Sequence, residues 1–452
     1  MRHISATVLS ALVLMVGCLA PTATFAAWCN DKSNITEPMN LNPVDRSEPV
    51  FVRSVPNGEL YTVGTGGQDE ISLVHLYGNN GYDWGYAMGS LMPSELKDVM
   101  TTAKAYFDGQ IEGYLNRTIT KLKWKIPQYI LDMIAQIGMD AVLDLQNAEC
   151  KPFTDPQIYD EIRGLSDASG VSFNDIVRIH MIGEVTKGDC SFYGAYGAAT
   201  LGGKTLQLRA LDWDTGAGLQ NHPVVVIYHP GNQSGLGHEF ANIGWAGWVG
   251  VLTGMSKQQL GISEIGIAYP DKTFGDESFI GIPFVFLERE IVQRARDIWD
   301  AMYRISAANR TCDLVLGVAD ARANTSRLVQ YSHSIVRFFN DRDLEPNYWW
   351  HPRLQDVVYC GMDWMCPFYQ HLLHNQLKQL HGQLTPELSI MNVTAPVGTG
   401  SLHTAVYDLT DMILFVANAR GRGETGPKDA YARQFVRIDI GKAFGKIYGE
   451  GR

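Results

Sequence analysis

Cys190 follows Gly188 and Asp189 and heads a run of small and aromatic residues from Ser191 to Ala198. Leu201-Gly202-Gly203-Lys204 then supplies a turn, and Thr205 to Trp213 supplies a second apolar run carrying Arg209 and Asp212. Two such runs around a glycine turn read as a β-hairpin. A thiolate nucleophile needs a base, and it needs a cation or donor to orient the carbonyl it attacks. A hairpin returns Arg209 and Asp212 toward Cys190, so these three groups can meet.

Other chemistry-bearing residues make weaker sets. Ser191 lacks the Gly-x-Ser-x-Gly elbow of serine hydrolases. His371 and His374 lie one helical turn apart, and His222, His229 and His238 group loosely. Neither set has a third residue at zinc-ligand spacing, so no metal and no cofactor are expected. The run Tyr348-Trp349-Trp350, with Trp364, reads most simply as core.

The elements that must position Cys190 follow from periodicity. Ile71 to Leu76 reads as a strand, followed by a glycine-rich stretch with Gly78, Gly81, Gly85 and Gly89. Pro93-Ser94-Glu95 starts a helix whose apolar face carries Leu96, Val99, Met100, Ala103, Phe107 and Ile111. One helix is expected over about Gln128–Asn147, another near Ile158–Leu165, and a fourth from the capping box at Ser172 to Asp175. Beyond Cys190 the pattern turns to strands: Pro223–Tyr228, Ile243–Leu252, and Leu260–Ile267 with Glu264. Long helices are expected over Phe284–Ile305 and Pro367–Leu380. Further strands are expected over Leu328–Phe339, Thr404–Tyr407, Ile413–Asn418 and Phe435–Ile440. Segregated helices and strands predict an α+β fold. The boundary falls at Lys187-Gly188-Asp189.

The 452 residues are 45% hydrophobic and 19% charged, enough for a large core. The formal net charge is -11 and no basic cluster occurs, which argues against nucleic acid as a partner. Arg2 and His3 precede an apolar stretch that ends in small residues near Ala26, the pattern of a secretory signal peptide over 1–26. No later stretch reaches the ~18 apolar residues of a membrane span. Sequons at Asn34, Asn116, Asn232, Asn309, Asn324 and Asn392 predict N-glycans in a eukaryotic source. In an oxidising compartment most cysteines pair. Cys360 with Cys366 is the favoured bridge. Cys29, Cys150 and Cys312 then offer one more pair and one leftover, and Cys190 stays free.

With these residues in view, the chain resembles the cysteine N-terminal-nucleophile hydrolases, in the acid ceramidase-like and penicillin acyltransferase-like branch. The resemblance rests on His75-Leu76-Tyr77-Gly78 with Gly85 and Gly89, on Glu161-Ile162-Arg163-Gly164-Leu165, and on Asp189-Cys190-Ser191. It continues through Arg209-Ala210-Leu211-Asp212-Trp213, Gly247 to Gly254, Leu402 to Asp408 and Val416 to Arg420. It implies a four-layer αββα sandwich with a largely helical N-terminal segment. It also implies self-cleavage between Asp189 and Cys190, giving chains 27–189 and 190–452 that remain associated. Cys190 is then the nucleophile, with its freed α-amino group as base. Arg209 holds the substrate carbonyl or a carboxylate, and Asp212 accepts from the Cys190 amine. Glu264 matches an acidic residue of the family's site, and Asn418 is the candidate donor to the oxyanion. Ala210 departs from the Asn common in the family and removes the polar contact such an Asn would make.

The expected function is hydrolysis of the linear amide of an N-acyl amine, a ceramide-like or N-acylethanolamine-like lipid, in a secreted or lysosomal protein. An acyltransferase or phospholipid esterase on the same thioester is the alternative enzyme. A secreted glycoprotein that keeps the fold only for binding is the alternative outside catalysis.

Overall fold

The computed structural model describes residues 36–116, 126–186, 188–231, 234–267, 270–362, 364–365 and 367–445. The expected signal segment, Cys29, Cys366, Asn34 and Asn232 lie outside the described residues.

The chain opens with strands β1 (Val50–Val55), β2 (Gly58–Val63) and β3 (Ile71–Gly78). Six helices follow: α1 (Gly81–Leu91), α2 (Pro93–Leu115), α3 (Gln128–Ile137), α4 (Met139–Cys150), α5 (Pro156–Ser169) and α6 (Phe173–Val185). The sheet residues then begin with β4 (Asp189–Ala195) and β5 (Leu206–Asp212). After them come β6 (Pro223–Pro230), β7 (Phe240–Trp245), β8 (Thr253–Ser256) and β9 (Leu260–Ile265). Helices α7 (Phe284–Arg294) and α8 (Ile298–Ala307) precede β10 (Leu314–Asp320), β11 (Thr325–Tyr331), β12 (Val336–Phe339) and β13 (Val357–Cys360). The remainder includes α9 (Pro367–Gln379), β14 (His403–Asp408), β15 (Ile413–Asn418) and β16 (Val436–Asp439).

Two sheets result. One has ten strands in the order β1-β2-β3-β6-β7-β8-β9-β10-β11-β12, and the other has six in the order β13-β4-β5-β14-β15-β16. Their faces meet. Gln207 of β5 donates to Ser263 of β9 at 2.7 Å, Tyr407 of β14 reaches the Ile262 carbonyl at 3.3 Å, and the Phe192 ring covers Gly317. Helix α7 packs on β8 and β9, and α1 packs on β1 to β3. Because β3 pairs in parallel with β6, the residues before and after Asp189 share one sheet.

Helix α1 meets α5 at backbone contact. A Cβ on Gly85 would lie 1.8 Å from the Glu161 carbonyl oxygen, and one on Gly164 would lie 2.3 Å from that of Tyr82. Gly85→Ala is therefore expected to lower stability by about 2 kcal/mol or more despite its better helix propensity. A urea melt unchanged from wild type would contradict this contact.

The structure corrects several expected elements. The helix expected over Gln128–Asn147 breaks at Gly138, whose φ of 86° no continuing helix accepts. The strand expected over Ile243–Leu252 is β7 followed by a turn at Gly247. The long helix expected over Phe284–Ile305 is α7 and α8, because Asp297 caps a new helix through the Asp300 N–H. Leu328–Phe339 is a hairpin of β11 and β12. Trp350 and Trp364 are buried, but Trp349 is 75% exposed and so is not core.

Candidate active site

Cys190 is the second residue of β4, opposite Leu211 of β5, and has no solvent exposure. Arg209 lies opposite Phe192, two pairs further along, and is also fully buried. Cys190 and Phe192 share one face of β4, so the register brings Arg209 to the thiol's side of the sheet. Glu264 enters from β9 of the other sheet. Its Oε2 takes a 2.6 Å bond from Arg209 Nη2 and lies 3.6 Å from Cys190 Sγ. The Cys190 N–H donates to the Gly266 carbonyl at 3.0 Å, which fixes the residue at the strand start.

Burial pushes the Cys190 thiol well above its usual range, and the Glu264 charge adds to this while Arg209 opposes it. Glu264 is likewise raised, first by burial, with Arg209 pulling it back. Burial thus favours the protonated thiol, and Glu264 Oε2 is the acceptor placed beside it.

The Gly188–Asp189 segment crosses directly over Gly266. A Cβ at Gly266 would sit 2.7 Å from Gly188 Cα and 3.0 Å from Glu264 Oε1. Backbone cannot move aside as a flexible side chain would. Gly266→Ala is expected to shift the Asp189–Cys190 bond and slow any chain cleavage there by about tenfold or more. Cleavage at the wild-type rate, followed by gel electrophoresis, would contradict that placement.

Asp212 pairs with Asp189 at the end of β5. Its carboxyl takes bonds from the Gly400 N–H at 2.9 Å, the Ser401 N–H at 2.8 Å and Thr399 Oγ1 at 2.7 Å. The same Thr399 oxygen is 2.7 Å from Ser191 Oγ. Burial raises Asp212 from 3.8 to about 6 despite these donors. A raised carboxyl binds its proton more tightly in the folded state. Its stabilising contribution is complete below the unfolded value and is lost as pH rises through about 6. Asp212→Asn should remove about 3 kcal/mol of the stability difference between acid and neutral pH. Parallel urea melts at the two pH values check it, and identical slopes for both proteins would contradict it.

Asn418 is placed apart. Cys190, Leu211, His403 and Asn418 are successive partners across β4, β5, β14 and β15. Three strand steps of ~4.8 Å set Asn418 about 14 Å from Cys190. Its Oδ1 is 3.1 Å from His403 Nδ1. The structure thus groups Cys190, Arg209 and Glu264, with Asp212 behind them, and leaves Asn418 off the thiol.

Sequence reasoning missed Glu288 on α7, which is fully buried and acts electrostatically on both Glu264 and Arg209. Three charged residues, Glu288-Arg289-Glu290, inside the apolar run Phe284 to Val292 were its only signal. Arg433 holds loops rather than the thiol, bonding Asp69, Glu424 and the Gln68 carbonyl. Cys150 and Cys190 are free thiols, and Cys150 Sγ lies 3.4 Å from the Phe279 carbonyl. The histidines are dispersed: His222 bonds Asp98, His229 bonds Glu239 and His238 bonds the Val292 carbonyl. Among the described residues, no group of three or more His, Cys, Asp or Glu is placed to hold a metal, and no helix is long and apolar enough to cross a membrane. Asn116, Asn309 and Asn324 are exposed, whereas the Asn392 amide packs on Met39 Sδ at 3.2 Å.

Fold and site together define a two-sheet α+β protein with a buried thiol, guanidinium and carboxyl cluster at the start of an inner strand. The chain belongs to the family of the Dictyostelium discoideum proteins dcd1A and dcd1B. It is 36% identical to Protein dcd1A over 420 residues, covering 90% of this chain and 92% of the relative. It is 33% identical to Protein dcd1B over 415 residues, covering 89% and 80%. No protein-family model matches the chain. Among solved structures, a Caenorhabditis elegans ortholog of N-acylethanolamine-hydrolyzing acid amidase aligns at 17% identity and a TM-score of 0.38, over 49% of this chain and 93% of that one. Penicillin V acylase from Agrobacterium tumefaciens aligns at 12% identity and a TM-score of 0.37, over 56% and 87%.

Proposed function

We propose that this protein is a cysteine amidohydrolase of the N-terminal-nucleophile type, on a four-layer αββα sandwich, activated by cutting its own Asp189–Cys190 bond. The observation that carries the reading is the convergence of Glu264 on both Arg209 and Cys190 Sγ at the head of β4. A thiol, a proton acceptor and a fixed cation in a dry site are the parts that acyl transfer to sulfur requires.

In the first step Glu264 takes the thiol proton and Cys190 Sγ attacks the Asp189 carbonyl carbon. The C–N bond breaks, the nitrogen leaves protonated as the Cys190 α-amine, and Asp189 is held as a thioester. Water then hydrolyses the thioester, releasing the Asp189 carboxyl and restoring the thiol. The new α-amine has an ordinary pKa near ~8, so it can serve the thiol as base where the peptide nitrogen could not. Asp212, at the Asp189 end of the hairpin, is assigned to accept from that amine. Substrate turnover repeats the chemistry: the acyl group passes to sulfur, the amine leaves and water completes hydrolysis.

The substrate class is an N-acyl amine, with a ceramide-like or N-acylethanolamine-like lipid as the leading candidate. The setting is a secreted or lysosomal glycoprotein. The parallel pairing of β3 with β6 and the buried Glu161–Arg289 bond of 2.6 Å both join residues before Asp189 to residues after it. The cut chains are therefore expected to coelute in size exclusion and to part only under denaturant. The test of activity is fatty acid release from a panel of ceramides and N-acyl amines by the cut protein. Release from phospholipid esters with none from amides would overturn the amidase reading.

A further inference from the structure

Glu288 lies on α7 with no solvent exposure, and neither of its carboxyl oxygens has a hydrogen-bond partner among the described residues. A buried polar group without a partner is costly and rarely kept without a reason. Helix α7 packs on β9, which brings Glu288 within electrostatic reach of Glu264 and Arg209. Arg209 bonds Glu264 through Nη2 alone, and its buried Nε and Nη1 have no partner among the described residues. One guanidinium thus faces two carboxyl groups in a dry cluster. Such groups share protons and do not all ionise together.

We propose that Glu288 is a positioning residue that acts on Cys190 through Arg209. The proposal deepens the function above and rests on it. As a neutral acid, Glu288 leaves the guanidinium to Glu264 and to the thiolate that forms beside it. As a carboxylate, it competes for the open Nε and Nη1 groups and adds negative charge where the thiolate must form. Cys190 reactivity therefore falls as Glu288 ionises.

Among the described residues, Arg209 is the cation set against Glu288. Groups that act on Glu288 are Glu264 from β9, Arg209 from β5 and Tyr407 from β14, while Cys190 from β4 acts on Arg209. Neighbouring Arg289 is committed to Glu161 and the Val249 carbonyl. On α6, Glu184 accepts from the Phe284 N–H and His180 bonds the Val249 N–H. Arg304 of α8 is bonded to Glu290 and Asp300. Strands β7 and β8 bring no titratable side chain. Burial raises Glu288 well above the carboxylate range, Glu264 adds to this and Arg209 opposes it.

The test is the rate of self-cleavage of freshly synthesised full-length chain, wild type against Glu288→Gln, across about pH 4 to 9. On the acid side the two should agree within about twofold, since Gln mimics the neutral acid. On the alkaline side Glu288→Gln should keep cleaving where wild type has slowed by about tenfold. Profiles that superimpose, or a variant slowed equally at every pH, overturn the role. Wild type left uncut at every pH overturns the proposed function and this role with it. A readout independent of cleavage is the infrared difference between Cys190→Ala and Cys190→Ala/Glu288→Gln proteins near neutral pH. A protonated-carboxyl band in the first protein is expected, and a carboxylate band instead overturns the proposal.

Discussion

Cys190→Ala protein is expected to run as one uncut chain and to lose the proposed amide hydrolysis by at least about 10³-fold. In the proposed mechanism, removing the sulfur removes the atom that would attack the Asp189 carbonyl and, later, the substrate. Nothing nearby replaces it. Ser191 Oγ lies with Thr399 and Asp212 on the far side of the strand from Arg209. The substitution removes one buried atom, so the fold should survive with a loss of about 1 kcal/mol. Cys190→Ser separates bulk from nucleophilicity, because it restores most of the volume but not the more acidic thiol. Slow, partial cutting is expected from it. Intact-mass analysis reads both variants, and an alanine variant that still cuts between Asp189 and Cys190 would contradict the assignment.

Arg209→Met gives the second large effect. Arg209 is fully buried and bonded to Glu264, so its loss leaves a buried carboxylate without its cation. Breaking one partner of such a pair costs about 3–5 kcal/mol. Self-cleavage should stop as well, since the thiolate and the oxyanion both lose their positive neighbour. The double variant Arg209→Met/Glu264→Gln separates the two consequences. It removes the stranded charge and should recover most of the stability while remaining uncut. Urea melts and gel electrophoresis of the same samples check this. Recovery of cleavage in the double variant would show that Arg209 serves the fold alone.

Much of the site was legible because hairpin chemistry is local. The Gly202-Gly203 turn sets β4 against β5, and the register then delivers Arg209 beside the thiol without long-range information. The capping serine at Ser172 and the apolar faces of α2, α5 and α6 were likewise local signals. What stayed hidden depended on distant partners. The hairpin of β1 and β2 carries exposed Val50, Phe51 and Val52, so its apolar residues do not alternate as half-buried strands do. Asn418 looked close to the site because it ends an apolar strand, but β5 and β14 intervene. Glu288 lies in a helix far along the chain, and only the packing of α7 on β9 gives it meaning.

The central claim is that the working nucleophile is the first residue of a new chain. N-terminal sequencing with intact-mass analysis of fully active protein tests it most directly. The account predicts two chains, the second beginning at Cys190 with a free α-amine and a free thiol. A fully active preparation in which the Asp189–Cys190 bond is unbroken, or in which that thiol is tied up in a disulfide, would contradict it.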